Sequence, residues 1–362
     1  MNIAIACGGT GGHLFPGLAV ADVLLERGHQ VLIFISEKEI DSLATQGRTD
    51  VRLEKLPSVG MPSVFSPAIA KFMVGFVGSY NKCRHIFESF APDAVLGMGG
   101  FTSTAPILAG RARKVPTFIH ESNAIPGKAN KLTSRFTSTV LLGFGECAPL
   151  FPKARTAITG TPVRHSLRSP VNRHAVFEKF GLREGMRTLL IMGGSQGAQG
   201  LNRAASAALA TFPADELQVI HLTGKQGEET VREEYARQGR AAYVAAFHHE
   251  MQEAYSVADL AISRSGAASL TELSYFGIPS VLIPYPYAAE DHQTHNAQIM
   301  VRSGAAILCR EENAIGGDLA EILHNVLTKP ELLFNMAAKT KVFSKQDAAA
   351  AVVDLIEQQC HR

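Results

Sequence analysis

Asn2-Ile3-Ala4-Ile5-Ala6-Cys7-Gly8-Gly9-Thr10-Gly11-Gly12-His13 is the stretch from which the rest of the chain is read. A short apolar run meets a glycine cluster, and an amphipathic helical pattern follows from about Pro16 to Arg27. The same grammar returns at Leu189–Met192, which runs into Gly193-Gly194-Ser195-Gln196-Gly197-Ala198 and a helix from about Leu201 to Ala210. Each strand–glycine loop–helix unit opens a parallel α/β layer arrangement. Two of them, one in each half, predict an α/β chain of two Rossmann-like domains with parallel sheets facing across a cleft.

Working outward from these loops, strands are expected at 2–7, 30–36, 51–55, 93–97, 115–119, 138–142 and 156–159. The second half should hold strands at 187–192, 217–222, 242–246, 258–262, 280–284 and 305–309. Helical patterns separate them, the alternation that yields parallel sheets. A third glycine loop, Gly97-Met98-Gly99-Gly100, follows the strand ending at Leu96, and the tail reads as helix from about Glu331 to Gln359. Gly160-Thr161-Pro162-Val163 punctuates the middle, which sets the expected domains at 1–163 and 164–338.

Composition narrows the function classes. At 362 residues and 46% hydrophobic content the chain can bury two cores. A formal charge of +2 argues against broad nucleic-acid binding. Five cysteines without CxxC spacing read as reduced thiols, with no zinc site and no disulfide framework. Met1 leads directly into the first strand without a basic region, so no secretory signal is read. No apolar run reaches the ~20 residues of a membrane span. A soluble or peripheral protein is expected.

The chemistry concentrates between Ile262 and Ala297. Arg264-Ser265-Gly266-Ala267 forms a strand-to-helix junction of small residues, where backbone N–H groups and the helix dipole favour an anion. Glu272, one to two turns on, can accept hydrogen bonds from a ribose diol, and Asp291-His292-Gln293 adds groups suited to sugar hydroxyls. In the first loop His13 is the candidate general base, because imidazole titrates near neutral pH and the place is the ligand end of a strand. A histidine there can also simply cap the helix. Glu37 after the second strand keeps a dinucleotide reading open, although Gly8–Gly12 does not fit G-x-G-x-x-G. No Asp-x-Asp pair occurs to hold a diphosphate-bound metal, so the helix start at Ser265–Ala268 and Arg164 would stabilise a leaving nucleoside diphosphate.

Taken in order, the first loop with Pro16, Gly97-Met98-Gly99-Gly100, His120-Glu121-Ser122-Asn123, Gly160-Thr161-Pro162-Val163-Arg164, the second loop, Arg264-Ser265-Gly266-Ala267 and Asp291-His292-Gln293 with Asn296-Ala297 span nearly the whole chain. Together they closely resemble the bacterial UDP-N-acetylglucosamine–N-acetylmuramyl-(pentapeptide) pyrophosphoryl-undecaprenol N-acetylglucosamine transferases, GT-B glycosyltransferases of peptidoglycan synthesis. The resemblance implies inverting transfer of GlcNAc from UDP-GlcNAc onto the muramyl sugar of the undecaprenyl-linked muramyl-pentapeptide. It carries donor contacts to Thr10, Gly11, Gly12, Asn123, Arg164 and Ser195. It also carries them to Ala267, Ala268, Ser269, Leu270, Thr271 and Glu272, to Gln293, and to the backbone of His248 against the uracil. The final segment, 339–362, would cross back onto the first domain. No tightly bound cofactor is implied, and Mg²⁺ is left at most an indirect stimulant of turnover. Competing readings are a related enzyme glycosylating diacylglycerol, a non-catalytic nucleotide-sugar-binding subunit, and an NAD-dependent oxidoreductase.

A last segment bears on location. Over 67–84, Ile69, Phe72, Met73, Phe76, Tyr80 and Cys83 follow core spacing, yet Ala70, Val74 and Val77 are apolar on another face. A helix apolar nearly all round is either fully buried or has a face against lipid. With Lys82, Arg84, Arg111, Arg113 and Lys114 nearby, and Val74, Val77 and Tyr80 turned outward, the expectation is peripheral contact with an anionic surface. The resemblance puts that surface at the cytoplasmic face of the plasma (inner) membrane.

Overall fold

Isoleucine and alanine alternate along the first strand, and the alternation sorts the two faces of a sheet. Ile3 and Ile5 meet one helical layer, Ala4 and Ala6 the other, and all four are fully buried. The computed structural model describes the chain apart from residues 39–40, 43–44, 58–61, 63–65, 195–196, 344–346 and 362. Residues 1–164 with 345–362 form one compact unit, and residues 165–344 form another.

In the first unit β1 (Asn2–Ala6), β2 (Gln30–Ser36), β3 (Arg52–Leu56), β4 (Ala94–Gly97), β5 (Thr117–Glu121), β6 (Thr139–Leu142) and β7 (Thr156–Ile158) pair in parallel. Their order is β3-β2-β1-β4-β5-β6-β7. One face is covered by the helices Gly11–Glu26 and Ala348–Cys360, the other by Ala68–Phe90 and Thr104–Ala112. In the second unit β8 (Arg187–Met192), β9 (Leu217–Leu222), β10 (Ala242–Ala245), β11 (Leu260–Ser263), β12 (Ser280–Leu282) and β13 (Ala306–Leu308) repeat the arrangement as β10-β9-β8-β11-β12-β13. Its core joins Leu189, Ile191, Val219 and Ile262 to Leu201 and Leu209 of the helix Gln199–Leu209 and to Leu319 and Leu323 of Asp318–Leu327. Each such fully buried side chain contributes roughly 1.5–3 kcal/mol. In both sheets the strand order reverses beside the first strand, between β1 and β4 and between β8 and β11. Ligands of open α/β sheets bind at that reversal, at the carboxyl ends of the strands.

Several expectations need correction. The first helix starts at Gly11 rather than Pro16 and takes Pro16 into its second turn. It is also buried on nearly every side and not amphipathic, because the helix Ala348–Cys360 lays Ala349, Val352, Val353 and Ile356 on its outer face. Arg27 ties the two helices through Asp354 and Glu357, at 2.7 and 2.8 Å. The tail is not one helix: Pro330–Thr340 ends in a short 3-10 turn, Lys341–Phe343, before Ala348 begins the next.

On the helix Ala68–Phe90, Phe72, Cys83, Ile86 and Phe87 are buried, and Phe76 and Tyr80 pack against that core. Met73, expected inside, is 49% exposed and joins Val74 at 75% and Val77 at 50%, while Tyr80, which fits the core spacing and is also expected outward, packs inward. The Thr104–Ala112 helix draws one side of this segment down, so the apolar residues on its far side are left uncovered. Among the described residues no helix is long and apolar enough to cross a membrane.

Candidate active site

At the reversal in the first unit, β1 hands over to the glycine loop. Gly8 has no room for a side chain, since a β-carbon would lie 2.2 Å from the Ser36 amide nitrogen, and Gly9 sits at φ 112°. Asp41, fully buried, holds this turn. One of its carboxylate oxygens accepts the N–H of Gly9 and of Ser36, both at 2.8 Å, and the Ser36 hydroxyl, while Lys38 Nζ donates to the Gly9 carbonyl at 2.7 Å. With its turn held, the chain enters the helix at Gly11, so Thr10, Gly11 and Gly12 occupy a helix N-terminus, an anion-favouring place.

His13 lies on the first turn of that helix. Its Nδ1 is 3.2 Å from the Thr10 hydroxyl, and its ring rests on the Gly97–Gly100 loop after β4. A β-carbon at Gly99 would come within 2.8 Å of His13 Nε2, so only glycine fits against that side of the ring. Behind it β5 ends in His120 and Glu121. His120 is fully buried, with Nε2 2.9 Å from the Gly160 carbonyl and Nδ1 3.2 Å from the Ser122 hydroxyl. Burial pulls its pKa down to about 4, and the nearby His13 adds to the effect, so His120 is a neutral strut. The Glu121 carboxylate, also buried, gathers N–H groups from Asn123 (3.0 Å from its backbone, 3.1 Å from its side chain), Gly127 (2.9 Å) and Asn130 (2.8 Å). It thereby fixes the loop that presents Asn123. Arg164 lays its guanidinium 4.4 Å from the centre of the Phe15 ring, on the same helix as His13.

The second unit builds its reversal from different materials. Ser195 lies outside the described residues; around it Gly194 and Gly197 adopt φ 91° and 77°. After β11, Arg264 is clamped under the neighbouring strand end, donating to the carbonyls of Ile283 and Pro284 at 3.0 Å and pairing with Glu311. Gly266 caps the helix Ala267–Phe276. The Ser265 hydroxyl donates to the Gln293 carbonyl at 2.8 Å, and Asn296 Nδ2 to the Ser265 carbonyl at 3.1 Å, so the two helix starts are tied together. Gln293 accepts the Tyr285 N–H through Oε1 at 2.9 Å, which orients its amide with the oxygen inward. Glu290 and Asp291, just before it, hold left-handed φ of 54° and 50°, a strained approach for residues with side chains.

Along the helix, Ala268, Ser269 and Thr271 are half-buried at the surface. Ala267 is buried, and Leu270 turns its side chain into the core while its N–H serves Gly266. Glu272 is half-buried and receives the Tyr255 hydroxyl on Oε2 at 2.7 Å. His248 is buried, with its ring against Phe180 and Nε2 2.9 Å from Glu253. With Glu250 and Glu253 it makes a cluster of metal-ligand residue types, but Lys179 Nζ already bridges the two carboxylates at 2.8 and 2.7 Å. Sequence reasoning passed over Asp41, Asn130 and Tyr255. Their roles depend on partners far off or unrelated in pattern, and nothing local marks them.

The residues 3–142 match the glycosyltransferase family 28 N-terminal domain and 188–352 the family's C-terminal domain, which makes the chain a glycosyltransferase of GT-B architecture. A relative in Thermodesulfovibrio yellowstonii is 36% identical over 365 residues, covering all of both chains. One in Geobacter sulfurreducens is 36% identical over 358 residues, covering 98% of this chain and 97% of its own. Each is named a UDP-N-acetylglucosamine–N-acetylmuramyl-(pentapeptide) pyrophosphoryl-undecaprenol N-acetylglucosamine transferase, and this chain belongs to that family. The crystal structure of Acinetobacter baumannii MurG superposes with a TM-score of 0.78 at 28% identity, covering 98% of this chain and 99% of that one.

Proposed function

We propose that this glycosyltransferase moves GlcNAc from UDP-GlcNAc to the muramyl 4-hydroxyl of the undecaprenyl-diphospho-muramyl-pentapeptide, with inversion, giving the β-1,4-linked disaccharide lipid. The observation that carries the reading is His13, on a helix start at the strand-order reversal, with Thr10 on one ring nitrogen and side-chain-free Gly99 beside the other. With Nδ1–H donated to Thr10, Nε2 is the acceptor that takes the hydroxyl proton. The freed oxygen bonds to the sugar C1, the bond from C1 to the β-phosphate oxygen breaks, and UDP leaves with the electron pair. Arg164, Ser195 and the helix start at Ala267–Ala268 meet the diphosphate charge. Thr10, Gly11, Gly12 and Asn123 serve the donor from the first unit. From the second, Ser269, Leu270 and Thr271 continue the helix turn beside the donor, Glu272 takes the ribose, Gln293 the sugar, and the His248 backbone the uracil. Incubating the protein with labelled UDP-GlcNAc and the lipid-linked muramyl-pentapeptide tests this. Label entering diacylglycerol instead, or no acceptor at all, would overturn it.

The exposed Met73, Val74 and Val77, with Arg84 and Arg113 flanking a notch of about 500 Å³ on the same helix and its neighbour, support peripheral binding to an anionic membrane. With an acceptor carried on a lipid, our reading of that surface is the cytoplasmic face of the plasma membrane. Retention on anionic vesicles that fades as salt rises is the expected behaviour.

A further inference from the structure

Glu272 is half-buried and does not hold its own position. Tyr255, on the helix Met251–Val257, is 2% exposed, and its ring lies 5.1 Å from that of Phe276. The phenol donates to Glu272 Oε2 at 2.7 Å, and the same hydroxyl lies 3.7 Å from the Met192 sulfur, at the end of β8. A glutamate carboxylate turns broadly about its last torsion, and a hydrogen bond to one oxygen narrows the angles at which it presents the pair. A ribose diol needs both at one angle.

We propose that Tyr255 is a positioning residue for nucleotide recognition: its hydroxyl, approaching from the core, fixes the plane of the Glu272 carboxylate so that the outward lone pairs accept the 2′- and 3′-hydroxyls of a ribonucleotide. The inference rests on the reading of Glu272 as the ribose contact and adds the residue through which it works. The phenol meets one oxygen of the carboxylate from the core side, and the diol would meet the carboxylate from the other. The same short helix begins directly after the His248 loop, so the proposed base and ribose contacts share one rigid support.

Calorimetry with UDP and with 2′-deoxy-UDP on the full chain tests it, because the ratio of the two affinities reads carboxylate geometry rather than stability. Y255F keeps the ring and removes the hydroxyl. It should weaken UDP by roughly tenfold, the loss of one hydrogen bond to a charged group, and weaken 2′-deoxy-UDP less, so the ratio narrows. E272Q should narrow it further, and Y255F added to E272Q should cost nothing more. M192L, which alters the other contact of the hydroxyl, should keep the wild-type ratio. A Y255F protein that binds both nucleotides equally more weakly, at an unchanged ratio, has lost packing and overturns the role; so does M192L narrowing the ratio as far as Y255F. An unchanged ratio in E272Q instead removes the ribose contact itself, and the inference with it.

Discussion

The two units share a strand order and differ in what they set at its reversal. The first places ionisable side chains there: His13, the buried His120 and the buried Glu121 lie behind two glycine loops. The second places helix starts, backbone N–H groups and an oriented amide, with Glu272 as its carboxylate. On the proposed roles, one half moves a proton and the other holds an anion and a sugar. The same scaffold supports both because the reversal supplies a location, while the chemistry depends on the few residues inserted there.

The largest effect should come from His13. His13→Ala is expected to lower turnover by roughly 10²–10⁴-fold with little change in UDP-GlcNAc affinity. A loss of only a few-fold, measured in steady state, would reduce the first unit to a second binding half. Next, Glu272→Ala should weaken UDP and UDP-GlcNAc alike by roughly 1.5–3 kcal/mol, the range for hydrogen bonds to a charged group. Gln293→Ala should weaken only the sugar nucleotide. Calorimetry giving the reverse pattern would dissolve the division within the second unit.

Acid sharpens the comparison from the side of likeness. Each unit hides a neutral histidine: burial lowers His120 to about 4 and His221 to about 3, the latter set between Tyr235 and Asn202 at 2.9 and 3.1 Å. Unfolded, each takes a proton near pH 6.5; folded, each refuses it. Their stabilisation is therefore complete above about pH 6.5 and falls as pH drops toward those lowered values, costing on the order of 2 kcal/mol per histidine by pH 5. Urea midpoints at pH 7 and pH 5 should show both units weakened, and His221→Gln should blunt the loss in the second alone. Midpoints that do not move would show that neither histidine is held neutral.

The smallest change in stability should follow Val74→Glu with Val77→Glu, since both side chains already face outward. Melting temperature and UDP-GlcNAc affinity should hold while vesicle binding disappears. A much lower melting temperature would mean that the face is part of the core.

The strand ladder was legible because a parallel sheet buried on both faces demands apolar runs at fixed intervals, and Ile3–Ala6 and Leu189–Met192 supply them. The helix start at Gly11 was not, because two glycines are poor helix formers and only the Asp41 clamp makes the early start possible. Met73 and Val74 could not be sorted by pattern on a helix apolar all round; the packing of Phe72 against Phe101 decides which side turns in. Gln293, His13 and Glu272 stood out by residue type and place. Tyr255 reads as an ordinary core aromatic until Glu272 is seen beside it.

The helix Ala348–Cys360 closes the first unit, yet the ribosome makes it only after the entire second unit. Until then the outer face of the Gly11–Glu26 helix has no cover for its apolar side chains, and Arg27 lacks Asp354 and Glu357. Domains usually mature in order of synthesis. Here residues 165–344 lie in one continuous stretch, while the half holding His13 has its full core only once the last helix is made. The half that holds His13 is therefore synthesised to completion after the half that holds Glu272.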